Sequence, residues 1–574
     1  MRNLISAVLA IALSAIAGRA GSQPATDEEI QVRMERNHVV YKINSNGSHE
    51  EIREVVTRIL DKRAVEFSKF AYAGWSTSVE KGEVLEAYTL KADGTKIVVP
   101  KNNYQLDISK GRDADSPVYS DRTSLSVLFP DVSAGDATFF KYRISSTEAI
   151  FPGYFSSFES YSPFRADNDV RVSYDAPTSL TLRFHSKGMQ RTESVTADGR
   201  RVTSFTYSNP KPSKAMRSGG GVWEIDEQIG VSASTFADYG QIARAYWERA
   251  KAKSVPTPRV TALAAKIVGD RKDTKAQIEA LHAWVTSNIH YAGNCVGVGA
   301  VVPRDLDFVL DNRIGDCKDY ATLMQALMAA RGIKSEQALV NAGGSWRLPT
   351  VPLALAVNHV INYVPSLDLY FDATATQMPI GMLSVNVAGK PVLLTENYVA
   401  GKKTPWVAAM RGQESSKARL KIAADGSVTG DVEVVQSGST AISTRQRMKN
   451  ATAAFEKRML EDMFNREKNG GWGKLEKDDP NVVADTYRYR LQFHVKEFLT
   501  IPGPSAWSMN SPGFGDGHIG GRVYGLALEP DDISEEVLCL GGKSTNELTV
   551  EFPKNAPLLI KQHSFCNFVG TELG

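Results

Sequence analysis

Cysteine is scarce in this chain of 574 residues: Cys295, Cys317, Cys539 and Cys566 are the only four, too few to staple a protein of this size, so the fold must rest on apolar cores. A charge excess of one sign is missing too. Lys and Arg number 67 against 65 Asp and Glu, a formal net charge of +2, which leaves no global electrostatic case for nucleic acid as a partner. After the first twenty residues no apolar run is long enough to span a bilayer. Short paired-ligand spacings of Cys and His are absent, as is a calcium loop of the EF-hand type, so chemistry without metal or cofactor is expected. There is no internal repeat, low-complexity tract or long charge block, which leaves ordinary globular domains, about three or four of them at this length.

What is present begins with MRNLISAVLAIALSAIAGRAGS, a basic start, an apolar run from Leu4 to Ala17, and Gly18 and Ala20 where a cleavage site needs small residues. The run is shorter than the roughly 20 residues of a spanning helix. It reads as a signal peptide over residues 1–20 rather than as a membrane anchor, and the mature protein is expected to be periplasmic or secreted, with no transmembrane segment. In an oxidising compartment Cys539 and Cys566, close together near the C-terminus, could form a disulfide, while Cys295 and Cys317 could be free.

Residues 30–253 carry short alternating runs such as HVVYKI, VLEAYTL, TKIVV, TFFKYRI and SLTLRFHS, separated by Asn-Gly, Asp-Gly and Pro-rich turns, the pattern of a β-sandwich-like domain. One helix is predicted inside it at SHEEIREVVTRIL, where Ile52, Val55, Val56 and Ile59 recur at helical spacing. Tyr72, Trp75, Tyr154 and Phe158 read as core. Pro256 and Pro258 mark a boundary near residue 254. In 255–400 helices and short strands alternate: Thr274 and Gln277 have capping-box spacing before the stripe Ile278, Leu281, Val285 and Ile289, and EQALV, VNHVINYV and LYFDATA read as strands. Alternation returns in 401–574, with a helix near AFEKRMLEDMF and a Gly-rich stretch, SPGFGDGHIGGRVYG, that lacks the helix-opening context of a phosphate loop. The expected fold class is therefore α+β and multidomain: an N-terminal β-sandwich-like domain, a central α+β core and a C-terminal β-sandwich-like domain.

The segment RIGDCKDYATLMQALMAARG holds the chemistry. Ala321, Met324, Leu327 and Met328, widened by Leu323, trace a helical stripe that Gly332 ends, giving a helix over about 316–330. Asp316 suits the N-cap, with Asp319 three residues on, so Cys317 becomes the first helical residue. Backbone N–H groups there lack internal partners and carry partial positive charge, which favours a thiolate and can bind an oxyanion. A nucleophile also needs a base, and the base an orienting partner. His359 in VNHVINYV and Asp372 in LYFDATA lie on successive strands that could set imidazole and carboxylate side by side. Singly each of these residues reads as packing; the ordered set does not.

GDCKDYATLMQALMAARGI, NHVINYV and YFDATAT together resemble the nucleophile helix, histidine strand and aspartate strand of the transglutaminase-like superfamily, in particular bacterial secreted members whose core follows a β-rich domain of unknown function. The resemblance covers about residues 255–400. It implies a papain-like core and acyl transfer through a thioester, with Cys317 as nucleophile, His359 as base then acid and Asp372 as orienter. Ala373 stands where the family more often has proline, which bears on the rigidity of the turn rather than on the carboxylate. For a second oxyanion donor the candidates are Tyr291 and Asn294, and Tyr291 reads equally as core packing. His282 and His290 read as surface or satisfied core, and Trp346 as either a cleft wall or packing. The calcium dependence of animal members finds no supporting residues here.

The expected function is thus an exported cysteine enzyme acting on an amide of a protein, a peptide or the cell wall, an amine acceptor making it a transferase and water a hydrolase. The alternative is a non-catalytic binding module with a relic triad, and the spacing of Cys317, His359 and Asp372 discriminates the two.

Overall fold

In the computed structural model the described residues are 25–26, 29–108, 111–113, 116–120, 122–214, 222–293, 297–406, 410–464, 470–500 and 542–554. They fall into two compact units, one through residue 406 and one from 410 onward.

The first unit opens with β-branched and aromatic alternation, which builds a sheet. Strand Val32–Ile43 pairs antiparallel with His49–Ile59 and parallel with Ala166–Pro177. On one side the sheet continues through Ala137–Ser146, Glu80–Leu90 and Lys96–Val98, and on the other through Arg200–Asn209 and Gln190–Val195. Two three-stranded sheets accompany it, and alternate side chains form two cores, one around Tyr41, Tyr174 and Phe205, the other around Trp75, Val127 and Phe140. A polar tie joins the layers: Tyr41 Oη donates to Glu159 at 2.6 Å, and Arg53 Nη2 reaches the same carboxylate at 2.6 Å.

The predicted helix at SHEEIREVVTRIL is instead the strand His49–Ile59. Its Ile and Val spacing is helical, and in the strand these four residues divide two to each face, but the β-branched content favours a strand, and both edges are paired, one to Val32–Ile43 and one to Ala137–Ser146. Its charges are met across strands, Glu54 by Arg36 at 2.6 Å and Arg58 by Glu35 at 2.7 Å. Tyr72 is 68% exposed and not core, whereas Trp75 is buried.

The remainder of this unit is an α+β core. A four-stranded antiparallel sheet runs in the order Leu369–Phe371, His359–Val364, Glu336–Val340, Val392–Leu394. Across it lies the helix Cys317–Ala329, of which Lys318 to Met328 are all buried. Such a helix must be covered all round. Leu323, Met324, Leu327 and Met328 meet Val260, Ile278, Leu281 and Val285 from the helices Pro258–Val268 and Thr274–Asn288, while Ala321 meets Ile242, Leu339 and Val360 on the sheet side. Gly332, at φ 74°, supplies the left-handed turn that stops the helix. Thr274 is not the cap of its helix: Asp273 is, accepting from the Ala276 N–H at 2.8 Å, because a carboxylate one residue earlier holds the capping geometry.

The second unit is a five-stranded sheet in the order Trp472–Lys477, Thr486–Val495, Val428–Ser437, Gly412–Ile422, Gly542–Glu551, with the helices Gly438–Asn450 and Ala453–Phe464. Phe464 stacks on Phe493 in its core. Among the described residues no helix is long and apolar enough to cross a membrane. The segments 1–20 and 511–525, and Cys539 and Cys566, lie outside the described residues.

Candidate active site

Cys317 is the first residue of its helix, and the chain before it is fixed by charge. Extended backbone at Asp316 turns into the helix through a reciprocal capping box with Asp319. The Asp319 carboxylate accepts from the Asp316 N–H at 3.0 Å and from Arg304, through its backbone N–H at 2.7 Å and Nη1 at 2.6 Å. Asp316 is also ion-paired with Lys318, both buried. Gly315 leaves room for this arrangement, since a Cβ there would sit 2.9 Å from the Asp319 Cβ. Cys317 is partly buried, packed against an apolar cluster that includes Tyr246, Ala321, Leu353 and Val360.

His359 opens its strand opposite Val340, and Asp372 follows the next strand. The structure brings all three predicted residues together. His359 Nε2 donates to Asp372 Oδ2 at 2.7 Å, and the Cys317 side chain lies near enough to the imidazole to help raise its pKa. The set grades inward, from a partly buried Cys317 through a His359 side chain 12% exposed to an Asp372 side chain at 7%. Side-chain hydrogen bonds lock sheet to helix beneath it. Asn362 Nδ2 donates to the Ala321 carbonyl at 2.9 Å, and Gln337 Nε2 to Thr322 Oγ1 at 3.0 Å, while Tyr246 Oη donates to Gln337 Oε1 at 2.6 Å.

Asp372 is held at every polar atom of its carboxylate and at its carbonyl. Oδ1 accepts from the Thr374 N–H at 2.8 Å and Oγ1 at 2.7 Å, and the carbonyl accepts from the Ala375 N–H at 3.1 Å and His282 Nε2 at 3.3 Å. The turn is thus fixed by hydrogen bonds although Ala373 cannot stiffen it. His282 is a satisfied core residue, as the sequence suggests, and burial pulls it below the ordinary histidine range so that it stays a neutral donor. His290 is exposed.

The charges follow from this packing. Burial draws His359 down, but Asp372 and then Cys317 outweigh it and lift the imidazole to about 10. Burial pushes Asp372 up, and His359 and Thr374 outweigh it, holding the carboxyl below its usual value. At neutral pH His359 is therefore an imidazolium between the Asp372 carboxylate and Cys317.

Tyr291 pairs with Gly315 beside the start of the nucleophile helix and is 52% exposed, so it is not core; Asn294 and Cys295 lie outside the described residues. Trp346 is half-buried, its ring 3.9 Å from Lys390 Nζ and its N–H 2.8 Å from Glu224 Oε1. Glu224 and Lys390 carry no local sequence signal; only the fold brings them to this loop. Among the described residues no group of three or more His, Cys, Asp or Glu could hold a metal ion.

Residues 261–362 match the model of the transglutaminase-like superfamily, and residues 45–214 match a domain of unknown function with solved structure, DUF3857. The matched core includes Cys317 and His359. A candidate protease from Parabacteroides distasonis superposes with a TM-score of 0.58 at 13% identity, over 88% of this chain and 97% of that one, so the two share a fold. A candidate cysteine protease from Cytophaga hutchinsonii, at 10% identity over 58% of this chain and 78% of that one, has a TM-score of 0.17, too low to carry an argument. No curated protein matches the chain.

Proposed function

We propose that this chain, in which a DUF3857 domain precedes a transglutaminase-like core, is a cysteine-dependent enzyme that attacks amides through Cys317. The observation that carries the reading is the His359–Asp372 hydrogen bond at 2.7 Å with Cys317 on the same imidazole, which is lifted to about 10. When Cys317 attacks as the thiolate, His359 already carries the proton that the leaving nitrogen needs.

The Cys317 sulfur forms a bond to the amide carbonyl carbon, and the oxygen takes up negative charge at the helix start, where the Cys317 N–H is a donor without an intrahelical acceptor. Tyr291, opposite Gly315, is the candidate for a second donor. His359 gives its proton to the leaving nitrogen, the C–N bond breaks, and a thioester remains. His359, now neutral, takes a proton from water or an amine as it attacks; the C–S bond breaks and the acid or the new amide leaves. Asp372 orients the ring and stabilises the imidazolium throughout. The substrate class is a protein, peptide or cell-wall amide met outside the cytoplasm, and hydrolysis is the favoured outcome. A relic module would have no reason to keep a buried carboxylate on the histidine that faces the sulfur.

The test is a trapped thioester. Acid quenching during turnover of a peptide amide mixture, followed by intact-protein mass spectrometry, is expected to show an acyl adduct on Cys317 that hydroxylamine removes. No adduct from any peptide or cell-wall amide, with Cys317 free, would count against it.

A further inference from the structure

The loop from Asn341 to Val357 leaves the sheet beside the catalytic histidine and has no ladder of its own. It departs after Val340, the strand partner of His359, and Ala342 N–H donates to the Asn358 side chain at 2.8 Å, next to His359. Backbone donors in such a loop need acceptors from elsewhere. Here they come from the segment just before Gly230–Ser234, a strand of the N-terminal β-domain that pairs with Ser156–Ser160 and Arg183–Lys187.

The Glu224 carboxylate is buried at 6% exposure and accepts three hydrogen bonds from the loop: Ser345 Oγ at 2.6 Å, Trp346 N–H at 2.8 Å and Arg347 N–H at 3.2 Å. Flanking it, the Trp223 N–H donates to the Gly344 carbonyl at 2.8 Å, and Asp226 Oδ2 accepts from both the N–H and Oγ1 of Thr350 at 2.7 Å. Lys390, also buried, bonds the Gly343 carbonyl and lies against the Trp346 ring. The β-domain itself reaches the same region, with Phe158 edge-on to Trp223 at 5.9 Å and Ser156 Oγ accepting from the Ala354 N–H at 3.4 Å. Charge-assisted bonds to backbone N–H groups are among the stronger ones, and a buried carboxylate left without them is costly, so loop and segment hold each other.

We propose that Glu224 is a positioning residue through which the N-terminal domain fixes the Ser345–Thr350 loop as a wall of the Cys317 cleft, setting which acyl donors reach the sulfur. This deepens the nucleophile reading above and rests on it. A small electrophile needs only the sulfur; a peptide must also lie along the wall. The preceding domain is then a working part of the site, and selectivity is distributed across both domains.

The experiment uses the full chain with Glu224→Gln, which keeps size and removes acceptor capacity. Two readouts are taken: trypsin cleavage after Arg347, which is exposed in the loop, and the ratio of Cys317 labelling by a peptidyl vinyl sulfone to labelling by iodoacetamide. The expected result is cleavage faster by about tenfold and a labelling ratio lower by about tenfold, with the iodoacetamide rate nearly unchanged, as misplacing a positioning element by an ångström does. Glu224→Asp is expected to restore part of the ratio. Unchanged cleavage overturns the clamp whether or not Cys317 reacts, and faster cleavage with an unchanged ratio overturns the assignment of the loop as a cleft wall. Wild-type Cys317 inert to iodoacetamide sinks the nucleophile reading instead, and is distinguished by that control. Should Glu224→Gln fail to fold, Ser345→Ala removes a single donor and is judged by the same two readouts.

Discussion

Asn362 Nδ2 donates to the carbonyl of Ala321 at 2.9 Å, tying the histidine strand to the nucleophile helix about one turn beyond Cys317. Both residues are fully buried. The distance between sulfur and imidazole is thereby set by packed secondary structure rather than by a loop, which is how a site holds sub-ångström geometry.

Asn362→Ala removes this tie and leaves a small cavity, and is expected to cost about 2 kcal/mol of stability. Urea unfolding measures that, and the same variant should alkylate more slowly at Cys317. Loss of stability with unaltered alkylation would show that the tie supports the fold alone.

The buried Asp316–Lys318 pair gives a sharper expectation. Lys318→Met strands a carboxylate at the helix start and should cost about 3 kcal/mol, whereas Asp316→Asn with Lys318→Met keeps a capping side chain, removes both charges and should recover most of that loss. A double variant less stable than the single one would contradict this account of the pair.

Asp372→Ala leaves His359 buried without its carboxylate. Turnover of an amide substrate should fall by about a thousandfold or more, the scale seen when a triad loses its orienting acid. Steady-state kinetics on a substrate found by thioester trapping would check it, and a loss below about tenfold would remove Asp372 from the mechanism.

Linkage fixes the pH dependence. His359 is raised from its ordinary value near 6.5 to about 10, so its contribution to stability is fully present below roughly 6.5 and is lost as pH rises through about 10. Asp372 is lowered, so its contribution is present above its ordinary value and is lost as pH falls through the lower folded one. His282, lowered by burial, opposes folding once pH drops below the ordinary histidine range. Unfolding free energy should decline between pH 8 and 10.5 more steeply in the wild type than in His359→Gln. Equal slopes would mean that the imidazolium is not stabilised in the folded protein.

Much of the site was legible because its signals are local. Asp316, the apolar stripe to Met328 and Gly332 each have a short-range physical cause, and His359 opens and Asp372 follows short β-branched and aromatic runs that read as strands. The stretch His49–Ile59 misled because Ile52, Val55, Val56 and Ile59 have helical spacing, and only pairing partners on both edges, with apolar residues split between the two faces, make it a strand. Glu224 and Lys390 were illegible for a different reason. A buried carboxylate that accepts from Ser345, Trp346 and Arg347 has no pattern in its own neighbourhood, since its partners lie 121 to 123 residues further along the chain.

The most direct measurement is the rate of Cys317 alkylation by iodoacetamide from pH 5.5 to 9.5 in the wild type and in His359→Ala. The wild type is expected to react readily at pH 6 and the variant to be slower there by at least about tenfold, the two converging at alkaline pH where an unassisted thiol ionises. Superimposable profiles in the two proteins would contradict this, because the sulfur would then owe nothing to the imidazolium beside it.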